Sequence, residues 1–447
     1  MTTILRTLRS KQKEFVVDKP TEELCTDLIN TLKGRLHAPD FLERHRQSAK
    51  DFSRNRCLSF VVVVMFLLNF VKRSLQDELD EFFKLESGEV VAVREVTKSA
   101  FSQARKKLKA EAFIELNRVQ VDYFYEHFPT ERWQGLRLLA TDGSTVQLPE
   151  TADIIAHFGL WQSVPVARVS QLFDVLNGVT VDALIGPKAK GEREFAALHF
   201  DKIGPADLVL LDRGYPAFWL FVLIRLQEAD FCARMPIGVW DVVDQFVASG
   251  LSEQIVDLQP CQTAIKECQT RNLPTAPLKV RLIRIDLDSG EVEVLITSLL
   301  ATIQFPHSVF KDLYHYRWPV EEDYKVIKPR LEVENWSGES TRSIYQDFHA
   351  KLFTKNLTAI IAQPAQKVVK QQSQHKKYTY QVNFSQALSK MKDTVVLLLQ
   401  QIDISAILSR LWQAMIQTIE PIRPGRKYPR RKLIISKKFP ATYKPIR

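Results

Sequence analysis

Cysteine is scarce and unorganised in this chain. Five residues in 447, Cys25, Cys57, Cys232, Cys261 and Cys268, are odd in number and show no C-x2-C spacing. They support neither a disulfide framework nor a zinc site, and a reducing cytoplasm fits them best. Glycine is sparse as well, and no Gly-rich phosphate loop is present, which argues against ATP dependence. The nine histidines form no HxH or HExxH cluster. Long hydrophobic runs are missing. The most apolar stretch, Phe60 to Val71, has 12 residues, too few to span a bilayer, and reads as a buried core segment. The N-terminal MTTILRTLRSKQK lacks the apolar core of a signal peptide, so no membrane association is expected.

What remains is an ordinary soluble composition, 45% hydrophobic and 26% charged, on a chain long enough for two or three domains. The formal charge of +10 is unevenly distributed. Residues 421–447 hold ten Lys and Arg and no acid, so the 62 basic residues fall to 52 in the rest of the chain, which balances its 52 acids. Such a tail fits a grip on phosphates or a solubilising or targeting extension equally well.

Residues 1–130 carry helical periodicity. Thr21 is a candidate cap for a helix through EELCTDLINTLKGRL, LQDELDEFFKL has one apolar face, and TKSAFSQARKKL has Thr97 or Ser99 at its cap. With Gln103, Arg105, Lys106 and Lys107, this last helix suits a DNA groove, as the second helix of a helix-turn-helix, or simply a solvated basic face. From about residue 136 the pattern changes. LRLLAT reads as a strand ending in a turn at Asp142-Gly143. Asn177-Gly178 separates two strand-like runs as a hairpin, GEREFAALHF reads as a helix, and ADLVLLDRGY reads as a buried strand running into Asp212. Strand, hairpin, helix, strand is the opening of a ribonuclease H-like α/β fold. A helix (AFWLFVLIRLQEA), an irregular stretch over about 235–275 and a second hairpin around Asp288-Ser289-Gly290 follow. The chain is then helical from Phe310 to Leu331 with an interruption at Pro319, and helical again over 345–420.

Two carboxylates close strand-like runs, Asp142 and Asp212. Either alone reads as a turn residue, but acids at the carboxyl ends of neighbouring strands can converge where divalent ions bridge them. A sharper signal is YHYRWPVEEDYKVIK, which sets Tyr314, Arg317, Glu321 and Lys328 in the pattern Y-x2-R-x3-E-x6-K. On one ideal helix the four fall within an arc of about 60°. If Pro319 instead opens a new helix, only Glu321 and Lys328 keep the same phase. The competing reading is a charged amphipathic helix with Glu321 and Lys325 as an i,i+4 pair.

The tetrad, preceded by Asp-Gly-Ser and Asp-Arg-Gly-Tyr after strands and flanked by VLITSL and LEVENWSG, resembles the insertion-sequence transposases of the IS-Four group, members of the DDE recombinase class. The resemblance runs from about Thr97 to about Phe348. It implies a ribonuclease H-like catalytic domain over 131–350 with a β-rich insertion at about 235–290, between a helical DNA-binding region (1–130) and a helical C-terminal region (351–447) ending in the basic tail. It implies that Asp142, Asp212 and Glu321 bind two Mg2+ ions, with Mn2+ able to substitute, and that Tyr314, Arg317 and Lys328 contact the DNA backbone. The implied substrate is double-stranded DNA, both the element's terminal inverted repeats and the target, handled by a dimer in the bacterial cytoplasm at the nucleoid. Some members use an insertion tryptophan to hold a flipped base. Trp240 is the candidate by location, against its reading as a core residue. The residue types suit in-line phosphoryl displacement, in which two metal ions stabilise the attacking and leaving oxygens and hard cations require oxygen ligands. The alternatives are a nuclease or resolvase without strand transfer and a catalytically inert DNA-binding derivative. A glycosidase, the remaining alternative, leaves the basic tail unexplained.

Overall fold

The computed structural model describes residues 19–287 and 290–423. Six helices come first: α1 (Lys19–His37), α2 (Pro39–His45), α3 (Phe60–Leu68), α4 (Leu75–Ser87), α5 (Lys98–Arg105) and α6 (Glu111–His127). Side-chain caps set several of their starts. Ser59, Ser74 and Thr97 accept the backbone N–H of Val62, Asp77 and Ala100, satisfying donors that a helix start leaves unpaired. Thr97 is therefore the cap of α5, whereas Thr21 lies inside α1, which begins two residues earlier. The apolar run of α3 is buried, with the Phe66 ring edge-on to Phe82 and Phe101. On α5, Arg105 is buried over the Phe101 ring, which leaves Gln103 and Lys106 outward.

A nine-stranded sheet follows: β1 (Arg137–Gln147), β2 (Leu160–Trp161), β3 (Val164–Asp174), β4 (Val179–Pro187), β5 (Asp207–Leu211), β6 (Asp230–Met235), β7 (Glu253–Leu258), β8 (Leu278–Asp286) and β9 (Val292–Thr297). β4 pairs with β3, β3 antiparallel with β1, β1 parallel with β5, and β5 parallel with β6. That order, with a hairpin first and two parallel strands after it, is the ribonuclease H-like arrangement. Seven helices belong to this region: α7 (Ala152–Phe158), α8 (Glu192–Leu198), α9 (Phe218–Leu226), α10 (Asp241–Ser249), α11 (Gln262–Thr270), α12 (Phe310–His315) and α13 (Trp318–Ile327).

Two features depart from the pattern reading. β1 does not turn at Asp142-Gly143. It continues to Gln147, because β3 supplies an antiparallel partner for every residue from Leu139 onward. The stretch read as irregular holds α10, β7 and α11, and β7, β8 and β9 extend the main sheet through β6. Of the second hairpin's turn, Asp288 and Ser289 lie outside the described residues.

The sheet is apolar on both faces, as strands covered on both sides require. Alternation sends Leu139, Val209, Leu211 and Phe231 to the side packed by α9, and Leu138, Ala140, Leu208, Leu210 and Cys232 to the side packed by Phe310, Leu313 and Val320 of α12 and α13.

The chain ends with α14 (Thr341–Gln372), β10 (Tyr380–Val382), α15 (Phe384–Gln400), α16 (Ser405–Gln417) and β11 (Ile419–Pro421), with β10 and β11 forming a small antiparallel sheet. The first residue of the basic tail is thus part of a strand, and 424–447 lie outside the described residues. The compact units do not follow chain order. Among the described residues, one gathers 19–112, 122–128 and 353–423. The other holds 113–121 and 129–352. In the first, α15 breaks at Lys392 and Asp393, where Asp393 has φ 64°. The break is pinned by Asn69, whose side chain donates to Asp393 Oδ1 (2.8 Å) and accepts from its backbone N (2.6 Å), and by Lys392 Nζ on buried Glu78 (2.8 Å). No helix among the described residues is long and apolar enough to cross a membrane.

Candidate active site

The alternation that builds the core also aims the acids. Asp142 continues the phase of Leu138 and Ala140, Asp212 that of Leu208 and Leu210, and Arg234 that of Cys232, so all three point to the face covered by α12 and α13. β1 pairs with β5 only as far as Ala140 with Leu210, so Asp142 and Asp212 stand together just past the carboxyl ends of two adjacent parallel strands.

The tetrad meets them from above. The chain breaks between α12 and α13 at Tyr316 and Arg317. Pro319 occupies the first turn of α13, where its missing N–H costs nothing, and Lys328 closes that helix. Tyr314 Oη donates to Asp212 Oδ1 (3.3 Å). Arg317, buried to 7% exposure, donates from Nη2 to Glu321 Oε1 (2.6 Å), and its Nε lies 4.0 Å from Asp212 Oδ1. Arg317 rather than Lys325 is thus the i,i+4 partner of Glu321, since Lys325 pairs with Glu322. Lys328 lies near Glu334. Burial lowers its pKa, and the nearby Glu334 carboxylate opposes that shift. Glu334 in turn accepts from Gln147 N (2.8 Å) while Trp336 Nε1 donates to Gln147 O (2.8 Å), so the LEVENWSG segment clamps the end of β1.

Pattern reading missed several participants. Arg234 lies 3.8 Å from Asp212 and is held by Glu293 at 2.5 Å. Tyr324 donates to Asp142 O (2.9 Å). Tyr215, 2% exposed, has its hydroxyl beside Gly143 with no hydrogen-bond partner among the described residues. Tyr215 and Tyr324 stand within quoted motifs, so their types were visible but their direction was not. Trp240 is partly buried against the core around α9, the structural reading of that residue.

Burial raises the Asp142 carboxyl to about 6. The Gly143 N–H and Arg317 oppose the shift, while Glu321 and Asp212 add to it. This concentration of negative charge in a partly dry setting is what a divalent cation would relieve, and carboxylate oxygens are the donors that hard cations take. The donor chemistry therefore fits. Among the described residues, however, no group of three or more His, Cys, Asp or Glu is gathered closely enough to hold a metal, and Arg317 occupies Glu321.

No family model matches the sequence. Over 244 residues the chain is 26% identical to the transposase InsG for insertion sequence element IS4 of Escherichia coli (strain K12). The chain is similar to an insertion-sequence transposase. The match covers 53% of this chain and 54% of that transposase, so the chain spans about half the length of the curated relative it matches. Among solved structures it is similar to the piggyBac transposase of a synaptic complex with hairpin DNA, with 8% sequence identity, a TM-score of 0.43, and coverage of 94% of this chain and 88% of the other.

Proposed function

We propose that this chain is a DNA transposase of the DDE class, cutting DNA at the ends of an insertion sequence and joining the freed ends to target DNA. The observation that supports this most is the convergence of Asp142 and Asp212 at the carboxyl ends of adjacent parallel strands, facing the helix that carries Glu321. In this reading Asp142, Asp212 and Glu321 hold Mg2+ or Mn2+, which would stabilise charge on the attacking and leaving oxygens of an in-line displacement.

The chain's own residues prepare that site. Tyr314 orients Asp212, Tyr324 anchors the backbone carrying Asp142, and Arg317 neutralises Glu321 until DNA and cation arrive. Arg317 and Tyr314 then offer a planar fork and a hydroxyl donor to phosphate oxygens, with Lys328 supplying a charge at the far end of α13. The substrate is double-stranded DNA, both element ends and target, handled by a dimer.

The test uses DNA carrying the ends of the element that encodes the chain, incubated with Mg2+ and a target plasmid. Nicked and joined products are expected. Glu321→Gln, which keeps size but not charge, should lower cleavage by orders of magnitude with end binding retained. Wild-type cleavage by that variant would remove Glu321 from the site, and hydrolysis without joining would make the protein a nuclease.

A further inference from the structure

The acids have donors on one side, Tyr314, Arg317 and Arg234. A second set lies beyond β1 on the other side, outside every motif of the sequence. Arg168 on β3 stands opposite Thr145 of β1 and opposite Gly186 of β4. It pairs with Glu192 at 2.5 Å, and its buried Nε has no hydrogen-bond partner among the described residues. Next to it, Gly143 lacks a side chain, and a Cβ there would meet Glu192 at 3.2 Å and the Tyr215 hydroxyl at 3.6 Å. Lys188 follows the last residue of β4, and its Nζ sits 2.9 Å above the ring centroid of Trp161.

Trp161 is 53% exposed and its neighbour Leu160 is 54% exposed. They form β2, joined to β3 by a two-residue turn, Gln162 and Ser163, with φ 48° and 66°. Tight hairpins need two positive φ values, normally supplied by Asn and Gly. Here two ordinary residues adopt that region, which side chains enter rarely and at a cost. The strained turn buries no core. It presents an indole to solvent with a cation on its face.

We infer that Trp161, Lys188 and Arg168 form a second DNA-contact strip, on the face of the sheet opposite Asp142, which receives an unpaired stretch of DNA strand. Trp161 stacks on a base, and Lys188 and Arg168 meet the adjoining phosphates. An exposed aromatic ring accepts any base face, and flanking cations track the backbone. The inference rests on the transposase reading.

The test measures binding of the full chain, in chelator so that nothing is cut, to blunt duplex and to the same duplex with a frayed end carrying 2-aminopurine. The wild type should bind the frayed DNA more tightly and quench its fluorescence. Trp161→Ala should weaken frayed binding roughly tenfold and abolish quenching, leaving blunt binding unchanged, whereas Trp161→Phe keeps most of both. Lys188→Gln should reduce the slope of log affinity against log salt by roughly 0.7 on the frayed DNA. Equal binding of both DNAs by Trp161→Ala and wild type overturns the strip and leaves the transposase reading intact, and an equal loss on both DNAs overturns it too. Absence of DNA binding by the wild type overturns both. Melting curves of Trp161→Ala and Trp161→Phe confirm that the fold is kept, as expected for an exposed side chain.

Discussion

Asp142 combines a buried setting with two acidic neighbours, and the sign of its shift decides how pH acts on the folded chain. A carboxyl raised from 3.8 to about 6 favours the folded state below the lower value, and that contribution is lost as pH rises through the upper one. In chelator, Asp142→Asn should therefore be more stable than wild type at pH 7.5 by about 2 kcal/mol after allowance for screening, and equal to it near pH 4. Denaturant titration at the two pH values checks this. Millimolar Mg2+ should then raise the stability of the wild type more than that of the variant. The residues of this site were legible unequally. Asp142, Asp212 and the tetrad stood out because carboxylates after apolar runs and a fixed spacing need no third dimension to be seen. Arg234, Tyr215 and Tyr324 did not, since each acquires its role only when strand parity or a returning helix aims it at the acids.

Some elements announce themselves through a single visible residue. Thr97 announces α5 and Asn177-Gly178 announces the β3–β4 turn. α10 and α11, short helices that start at Trp240 and Cys261 without a side-chain cap, escaped, as did the seven-residue α7 despite its Thr151 cap. The break in α15 was equally invisible, because it depends on partners more than 300 positions away. There Glu78 is buried, which raises its pKa, but Lys392 and the N–H groups of Arg73 and Lys72 outweigh burial and hold it below the usual carboxylate range. Its contribution to stability is present above the unfolded value and lost as pH falls. Lys392→Met should cost about 3 kcal/mol at neutral pH by removing the cation in direct contact with that buried charge and leaving it to Arg73 at 3.6 Å and the two N–H groups. The cost should shrink toward pH 4, where Glu78 takes a proton in the variant, and urea unfolding at both pH values reads the difference.

At the scale of the whole molecule, formal charge separates one segment from the rest. Residues up to 420 balance, and the basic tail carries the excess. Because β11 extends to Pro421, a deletion that spares the fold must begin after Arg423. Removing 424–447 should flatten the salt dependence of DNA binding, by about 0.9 in slope for each phosphate that the tail neutralises. Affinity should fall alike for element-end and unrelated DNA. A drop confined to element ends, with the slope unchanged, would instead make the tail a specificity element.

The gathering of residues from before and after the large sheet into one unit also sets a schedule for synthesis. Residues 129–352 emerge from the ribosome as a continuous run holding every strand of the large sheet, so the unit with the three acids can close while translation continues. The other unit has to wait. Leu68 meets Thr354 only once residue 354 has been made, and Asn69 meets Asp393 only 39 residues later. At ~5–20 residues per second, several seconds separate the two events. During that interval α3, the most apolar helix of the chain, has been synthesised without its eventual cover. A nascent chain stalled near residue 352 should thus resist protease across the sheet while being cut readily around Phe60–Leu68, and release of the full-length chain should remove that sensitivity.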